Sequence, residues 1–329
     1  MNIYSETYHK QTLITFQGDN FLVTLSTLGA SLVRVKYKED ELIYYPINKD
    51  DMQNPDYYYG KTIGPICNRI KDGIVHIDGK EYRLSKNEGN NTLHGGYEGI
   101  SNKYFDYSIN DDESSVTFIF KKKSLEDGLP GNVIYKVKYV IKENIIDLSY
   151  DIVSDENTMI SLTNHTYICL KDKDVKKFLL RGDFDKYVVP DKDDLLPIKI
   201  EKVPYYLNFK NKTLLGNYLY LDELQNHKSK GFDHNLIFKN GLSKNTVLLE
   251  DSTYILKIET NFPSVQIYSD NYENPYDFKD ILIKKYASIA IEPCDVLLNR
   301  EVLEKGKHYM RKIKYSFKNK NVFINFKLF

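Results

Sequence analysis

A chain of 329 residues, 41% of them hydrophobic, can bury a substantial core, either as two average domains or as one large all-β unit. Its 46 basic and 46 acidic residues cancel, so it carries no electrostatic footprint for nucleic acid or an anionic membrane. The opening MNIYSETYHKQ lacks an apolar signal core and no run approaches a membrane span.

Taken in order, Phe21 to Ser26 and Ser31 to Tyr37 have strand composition, and Leu42 to Tyr45 is a third short candidate. Ile74 to Ile77, Asp78-Gly79 and Lys80 to Leu84 read as a hairpin, because Asp-Gly tolerates the positive φ of a two-residue turn. Further strands are expected at Val116 to Phe120, Val133 to Ile141, Ile145 to Val153, Tyr254 to Glu259, Val265 to Tyr268, Ser288 to Glu292, Ile313 to Phe317 and Val322 to Phe326. Leu221 to Asn226 can make a turn or two of helix. Many strands without intervening helices give a large antiparallel sandwich or barrel, read as a single domain over residues 1–329. Tyrosine, at 28 residues with no tryptophan beside it, serves half-buried strands and also suits contacts with a sugar.

Ile160 to Leu170, ISLTNHTYICL, reads as one strand without Gly or Pro. Alternation puts Ile160, Leu162, Asn164, Thr166, Ile168 and Leu170 on one face, and a row of hydroxyls around His165 on the other. Such a row fits a wet working surface; a half-buried, hydrogen-bonded histidine is the simpler reading. Arg69, in CNRI, has a fork able to bind hydroxyls or a carboxylate, or to form a surface ion pair. His94 lies in the Gly- and Asn-rich loop NEGNNTLHGG. Asp233, in GFDHN, can hold a turn amide or two vicinal hydroxyls. In SIAIE, Ser288 and Ala290 leave room beside Glu292, and Pro293 is expected to end the ladder. Gln266 falls on a polar face of its strand.

Eight segments in order resemble the aldose 1-epimerase (galactose mutarotase) family: GPICNRI, NNTLHGG, DGLPGN, TNHTY, VPDKDDLLP, GFDHN, VQIYSDN and AIEP. Ile168 and Cys169 stand where that family often has Phe and Asn, Pro293-Cys294 where many members have Thr-Gln, and Pro65 where many have Arg; these departures bear on sugar preference more than on the reaction. The resemblance implies a galactose mutarotase-like β-sandwich, in the cytoplasm, as a monomer or homodimer. It implies interconversion of the anomers of a free aldohexose such as galactose or glucose, without cofactor or metal. Glu292 would be the base and His165 the acid. His94 would support the ring oxygen or a neighbouring hydroxyl, and Arg69, Asn68, Asp233 and Gln266 would hold the sugar. A hexose-phosphate epimerase should carry extra Arg or Lys for the phosphate, and Arg69 is the only Arg and Lys192 the only Lys within the matched segments. A non-catalytic sugar sensor does not need both His165 and Glu292, and a metal hydrolase lacks its usual histidine spacings.

Overall fold

The structure, a computed structural model, describes residues 1–279 and 284–320. Three antiparallel sheets carry most of the strands. The nine-stranded sheet runs, in spatial order, Asp106–Asn110, Ser115–Lys122, Val133–Lys142, Ile145–Ser154, His308–Asn319, Tyr254–Thr260, Asn245–Glu250, Leu179–Gly182 and Thr213–Leu214. The six-stranded sheet runs Tyr167–Ile168, Ile289–Cys294, Ser264–Tyr268, Asp233–Phe238, Phe184–Pro190 and Pro197–Lys202. A five-stranded sheet is built from the first 41 residues, Asn2–Tyr8 through Asp40–Glu41.

Period-two patterning explains how they pack. Along Val133–Lys142 the side chains of Val133, Tyr135, Val137, Tyr139 and Ile141 are buried on one face. They share one hydrophobic cluster with Phe16, Val23 and Val35 of the five-stranded sheet and with Leu236, Val265 and Ile291 of the six-stranded sheet. Each such side chain contributes about 1.5–3 kcal/mol on burial. Phe21 meets Phe317 at 5.9 Å between ring centroids, and Tyr139, fully buried, donates its hydroxyl to the Ala30 carbonyl at 2.9 Å. The all-β antiparallel expectation therefore holds, with Asp222–Gln225 the single α-helix among the described residues. None of the described helices is long and apolar enough to cross a membrane.

Several strands match the sequence reading: Phe21–Ser26 and Ser31–Tyr37 have the expected bounds, and Asp78 and Gly79 turn the hairpin at φ 50° and 75°. Others differ. Leu42 to Tyr45 is not a strand; Ile43 makes an isolated bridge to Ile168. The strands Asn2–Tyr8 and Gln11–Gln17 escape the pattern because the first is largely exposed and their turn holds His9, not glycine, at φ 54°. Pro293 does not end its ladder: it pairs with Val265, and Cys294 with Ser264. Past Ala290 the other edge of that strand has no registered partner among the described residues, a setting in which a strand proline is tolerated. Val322 to Phe326 lies outside the described residues.

The continuous strand expected over Ile160 to Leu170 is two short pieces. Thr163–Asn164 pairs with Thr62–Ile63, and Tyr167–Ile168 pairs with Ile289 and Ala290. The chain changes partners at His165, whose N–H donates to the Lys61 carbonyl and whose carbonyl accepts from the Gly60 N–H. Gly60 is required there: at φ 72° a Cβ would lie 1.9 Å from the Leu32 carbonyl oxygen. Alternation survives the break, since Ile160, Leu162, Ile168 and Leu170 enter the main core while Tyr167 and Cys169 enter a second cluster. The hydroxyl face is not wet: Ser161, Thr163 and His165 are all buried.

Candidate functional site

A cleft of about 300 Å³ is lined by Asn68, Arg69, His94, His165, Asp233, Gln266 and Glu292, so all seven residues singled out from the sequence meet in one place. Larger hollows of about 490 and 600 Å³ exist elsewhere and include none of the seven.

Four segments deliver these groups. The partner change at His165 turns its imidazole toward Glu292, the fourth residue of strand Ile289–Cys294. The His165 Nε2 to Glu292 Oε1 separation is 3.5 Å. Glu292 pairs in register with Gln266, and Asn235 with Gln266, so adjacent strands place Gln266 beside the carboxylate. Asp233, at the start of Asp233–Phe238, accepts from Gln266 Nε2 at 2.5 Å; it holds a side-chain amide and not the turn amide. Arg69 pairs in register with Leu93, which sets His94 next to it. Gly95 lets that loop turn, because at φ 86° a Cβ would sit 2.3 Å from the Gly64 carbonyl oxygen.

His94 has a defined hydrogen-bond role. Its Nδ1 accepts from the Asn68 N–H at 3.2 Å, so a neutral ring carries its proton on Nε2. Burial, followed by the neighbouring His165 and Arg69, holds His94 well below the usual histidine range. Its ring stands edge-on to His165 at 5.2 Å, and Tyr167 stacks on His165 at 5.0 Å.

The electrostatics of the central pair differ from the expectation of a resting carboxylate beside a protonated imidazole. Burial pulls His165 down to about 4. Burial, then the charges of Cys67 and Asp233, pushes Glu292 well above the usual carboxylate range. His165 Nδ1 has no partner among the described residues, in the imidazolium and in the neutral ring alike. Both groups favour their neutral forms. That pair holds the same single titrating proton as the ion pair, carried on Oε1 instead of Nε2. The two groups stand side by side.

Other expectations need correction. The room beside Glu292 is not open, because Ala290 is flanked in register by Tyr167 and Tyr268, whose rings meet edge to face at 6.2 Å and line the cleft. The fork of Arg69 is occupied: Nε and Nη2 donate to Glu88 at 2.7 and 2.9 Å. Only Nη1 is turned to Asp233 Oδ2, 3.9 Å away. This is an ion pair, but not a surface one, since the Arg69 side chain is 12% exposed. Lys192 pairs with Asp193 at the surface and does not line the cleft.

Sequence reasoning missed Glu88, Tyr58, Tyr167, Tyr268, Tyr272 and Lys228, which also line it. Tyr167 and Tyr268 had a signal, each lying two residues beyond a chosen residue on the same strand face. Glu88 sat inside the quoted Asn- and Gly-rich loop, with nothing local to pair it with Arg69. Arg300 is a positioning group: its Nη2 donates to the Cys67 carbonyl and its Nη1 to the Leu297 carbonyl, both at 2.8 Å, tying the segment before Asn68 to the loop after Glu292. All three cysteines are free and buried.

Solved structures share this sheet assembly. A galactose 1-epimerase from Lactobacillus acidophilus superposes with TM-score 0.86 at 23% identity, over 97% of this chain and 98% of the other. An aldose epimerase homologue from C. elegans gives 0.81 at 24% identity, over 94% and 99%. In sequence, the aldose 1-epimerase of Haemophilus influenzae is 29% identical over 279 residues, 79% of each chain, and the galactose mutarotase of Sus scrofa is 25% identical over 274 residues, 78% of this chain and 76% of its own. The family model for aldose 1-epimerase matches residues 12–316. The chain belongs to the aldose 1-epimerase family, and it is an isomerase acting on carbohydrates.

Proposed function

We propose that this protein interconverts the α and β anomers of a free aldohexose, glucose or galactose, with Glu292 and His165 as its proton-transfer pair and residues 1–329 acting as one domain. The observation that carries the reading is the 3.5 Å approach of Glu292 Oε1 and His165 Nε2 within the cleft. The C1 hydroxyl oxygen and the ring oxygen of a pyranose share one carbon, so an acid and a base that serve them must be neighbours. The side-by-side arrangement fits that demand better than a wide gap would.

The Glu292 carboxylate takes the proton from the C1 hydroxyl. The freed electron pair forms the C1 carbonyl, the bond from C1 to the ring oxygen breaks, and the imidazolium of His165 gives that oxygen its proton. Rotation about C1–C2 presents the other carbonyl face, and the steps reverse. Ring opening starts from the ion pair and ends with both groups neutral. A buried site favours that discharge, since low dielectric penalises the charges being lost. Forming the ion pair is the cost, offset by hydroxyls of the bound sugar donating to the carboxylate. His94, through Nε2–H, donates to the ring oxygen or a neighbouring hydroxyl. Gln266 Oε1, buried without a partner among the described residues, accepts from a hydroxyl, and Asp233, Arg69 and Asn68 bind the far end. The chemistry moves protons only and calls on no cofactor.

Anomer exchange followed by NMR on glucose, galactose, xylose and their phosphates tests the proposal. Exchange above the buffer rate with a free aldohexose is the expected result; its absence across the panel would sink it.

A further inference from the structure

Charge at the far end of the cleft is balanced in an unusual way. Five described side chains lining the cleft are charged types, Arg69, Glu88, Lys228, Asp233 and Glu292, the last of them paired with His165. Lys228 is exposed, where solvent screens it. Arg69 is the one cation built into the wall, and Glu88 consumes two of its N–H donors in a bidentate pair. Glu88 is not there by accident of a loose loop. Its N–H and carbonyl exchange hydrogen bonds with Asn91 at 3.1 and 3.0 Å, and the preceding Asn87 side chain bonds both the N–H and the carbonyl of Leu93. The carboxylate is held against the guanidinium by its own backbone. Asp233 completes the flank, with Oδ1 committed to Gln266 and Oδ2 facing Arg69 Nη1 across 3.9 Å.

Two consequences follow from elementary chemistry. A sulfate, phosphate or carboxylate recognised by arginine uses the fork edge that Glu88 occupies. What Arg69 still offers is one N–H beside a carboxylate oxygen, a donor and an acceptor spaced for neutral hydroxyls. Any anion entering would also face Glu88 and Asp233.

We infer that Glu88 is the residue that restricts this cleft to uncharged sugars, by capping the Arg69 fork and cancelling its charge. The inference rests on the sugar-binding reading above and deepens it. Glu88 touches no reacting atom; it sets specificity through Arg69.

The test is equilibrium binding by calorimetry, alongside anomer exchange, for a neutral hexose, the hexose 6-phosphate and the corresponding hexuronate. The wild-type chain is expected to bind the neutral sugar at least about tenfold more tightly than either anion. Glu88→Gln should shrink that ratio by about tenfold or more, with the gain fading as salt rises. Removing the fork as well, in Arg69→Gln/Glu88→Gln, should abolish the gain. Should Glu88→Gln fail to fold, Glu88→Asp, which draws the carboxylate back by one methylene, should move the ratio the same way by less. A merely structural Glu88 would weaken all three ligands alike and leave the ratio fixed; that result, or a wild-type chain that binds anions as well as neutral sugars, overturns the inference. Neutral-sugar binding without anomer exchange would overturn the catalytic reading and leave the Glu88 ratio to stand or fall by itself. Absence of any sugar binding would overturn both.

Discussion

The two ends of the cleft bury ionisable groups in opposite ways. At one end Arg69 meets two carboxylates, and the bidentate bond to Glu88 compensates its desolvation. At the other end Glu292 and His165 are buried at 3% and 5% exposure with no fixed counter-ion, and each is driven toward its neutral form. A paired charge has one stable state, which suits holding a ligand. An unpaired couple has two states separated by one proton, which suits moving it. On the proposed mechanism the same burial serves recognition at one end and chemistry at the other.

The largest expected effect comes from breaking the proton-moving end. Glu292→Gln and His165→Asn should each lower kcat by about a hundred- to ten-thousandfold in polarimetric anomer exchange. The double variant should lose little more than the worse single, because the two groups act as a unit. A single variant that keeps near-normal exchange would contradict the assignment.

The pH profile sharpens the comparison further. On the proposed mechanism the one-proton state of the pair is the working one. Activity should fall below about 4, where His165 is protonated while Glu292 still holds its proton. It should fall again only well above the ordinary carboxylate range, where the pair loses its last proton. The profile of kcat/KM from pH 3 to 10 reads both limbs, and a basic limb near the usual glutamate value would contradict the burial argument.

Breaking the recognition end should do less. Asp233→Asn, which keeps the shape and removes the charge opposite Arg69 Nη1, should raise KM by about tenfold and move kcat less, the scale of one hydrogen bond to a charged group. Steady-state kinetics separate the two parameters. An equal fall in kcat and kcat/KM would instead place Asp233 in the chemistry.

The division between the ends also governed what could be read from the sequence. Period-two alternation located Gln266 and Glu292 on their strands, and turn chemistry located the hairpin at Asp78-Gly79. Those signals are local. Glu88 and Arg69 are 19 residues apart, and their pairing depends on register between Arg69–Ile70 and Thr92–Leu93, which no local pattern carries. The break at His165 is equally non-local: it comes from the Gly60–Lys61 backbone capturing its amide and carbonyl, not from any Gly or Pro in the segment. Burial was the other blind spot. A row of hydroxyls reads as wet until Cys67 is seen against Ser161 and Thr163 and His165 are found buried beside it.

The smallest expected effect is on stability. Glu292 is raised in the folded chain, so the proton it binds there stabilises the fold fully below its unfolded value; that contribution is lost as pH rises through the folded value. Gln at this position has no proton to lose. Glu292→Gln should therefore melt close to the wild type near pH 5 and at a higher temperature near pH 9, a difference of a few degrees at most, since about 1 kcal/mol moves Tm by about 1–2 °C in a chain of this length. Arg69→Gln should behave oppositely, melting lower at both pH values because it strands the Glu88 carboxylate without its partner. Calorimetric scans of both variants at the two pH values decide the matter. If Glu292→Gln melts lower throughout, the carboxyl is held by compensation like that of Arg69, and the contrast between the two ends disappears.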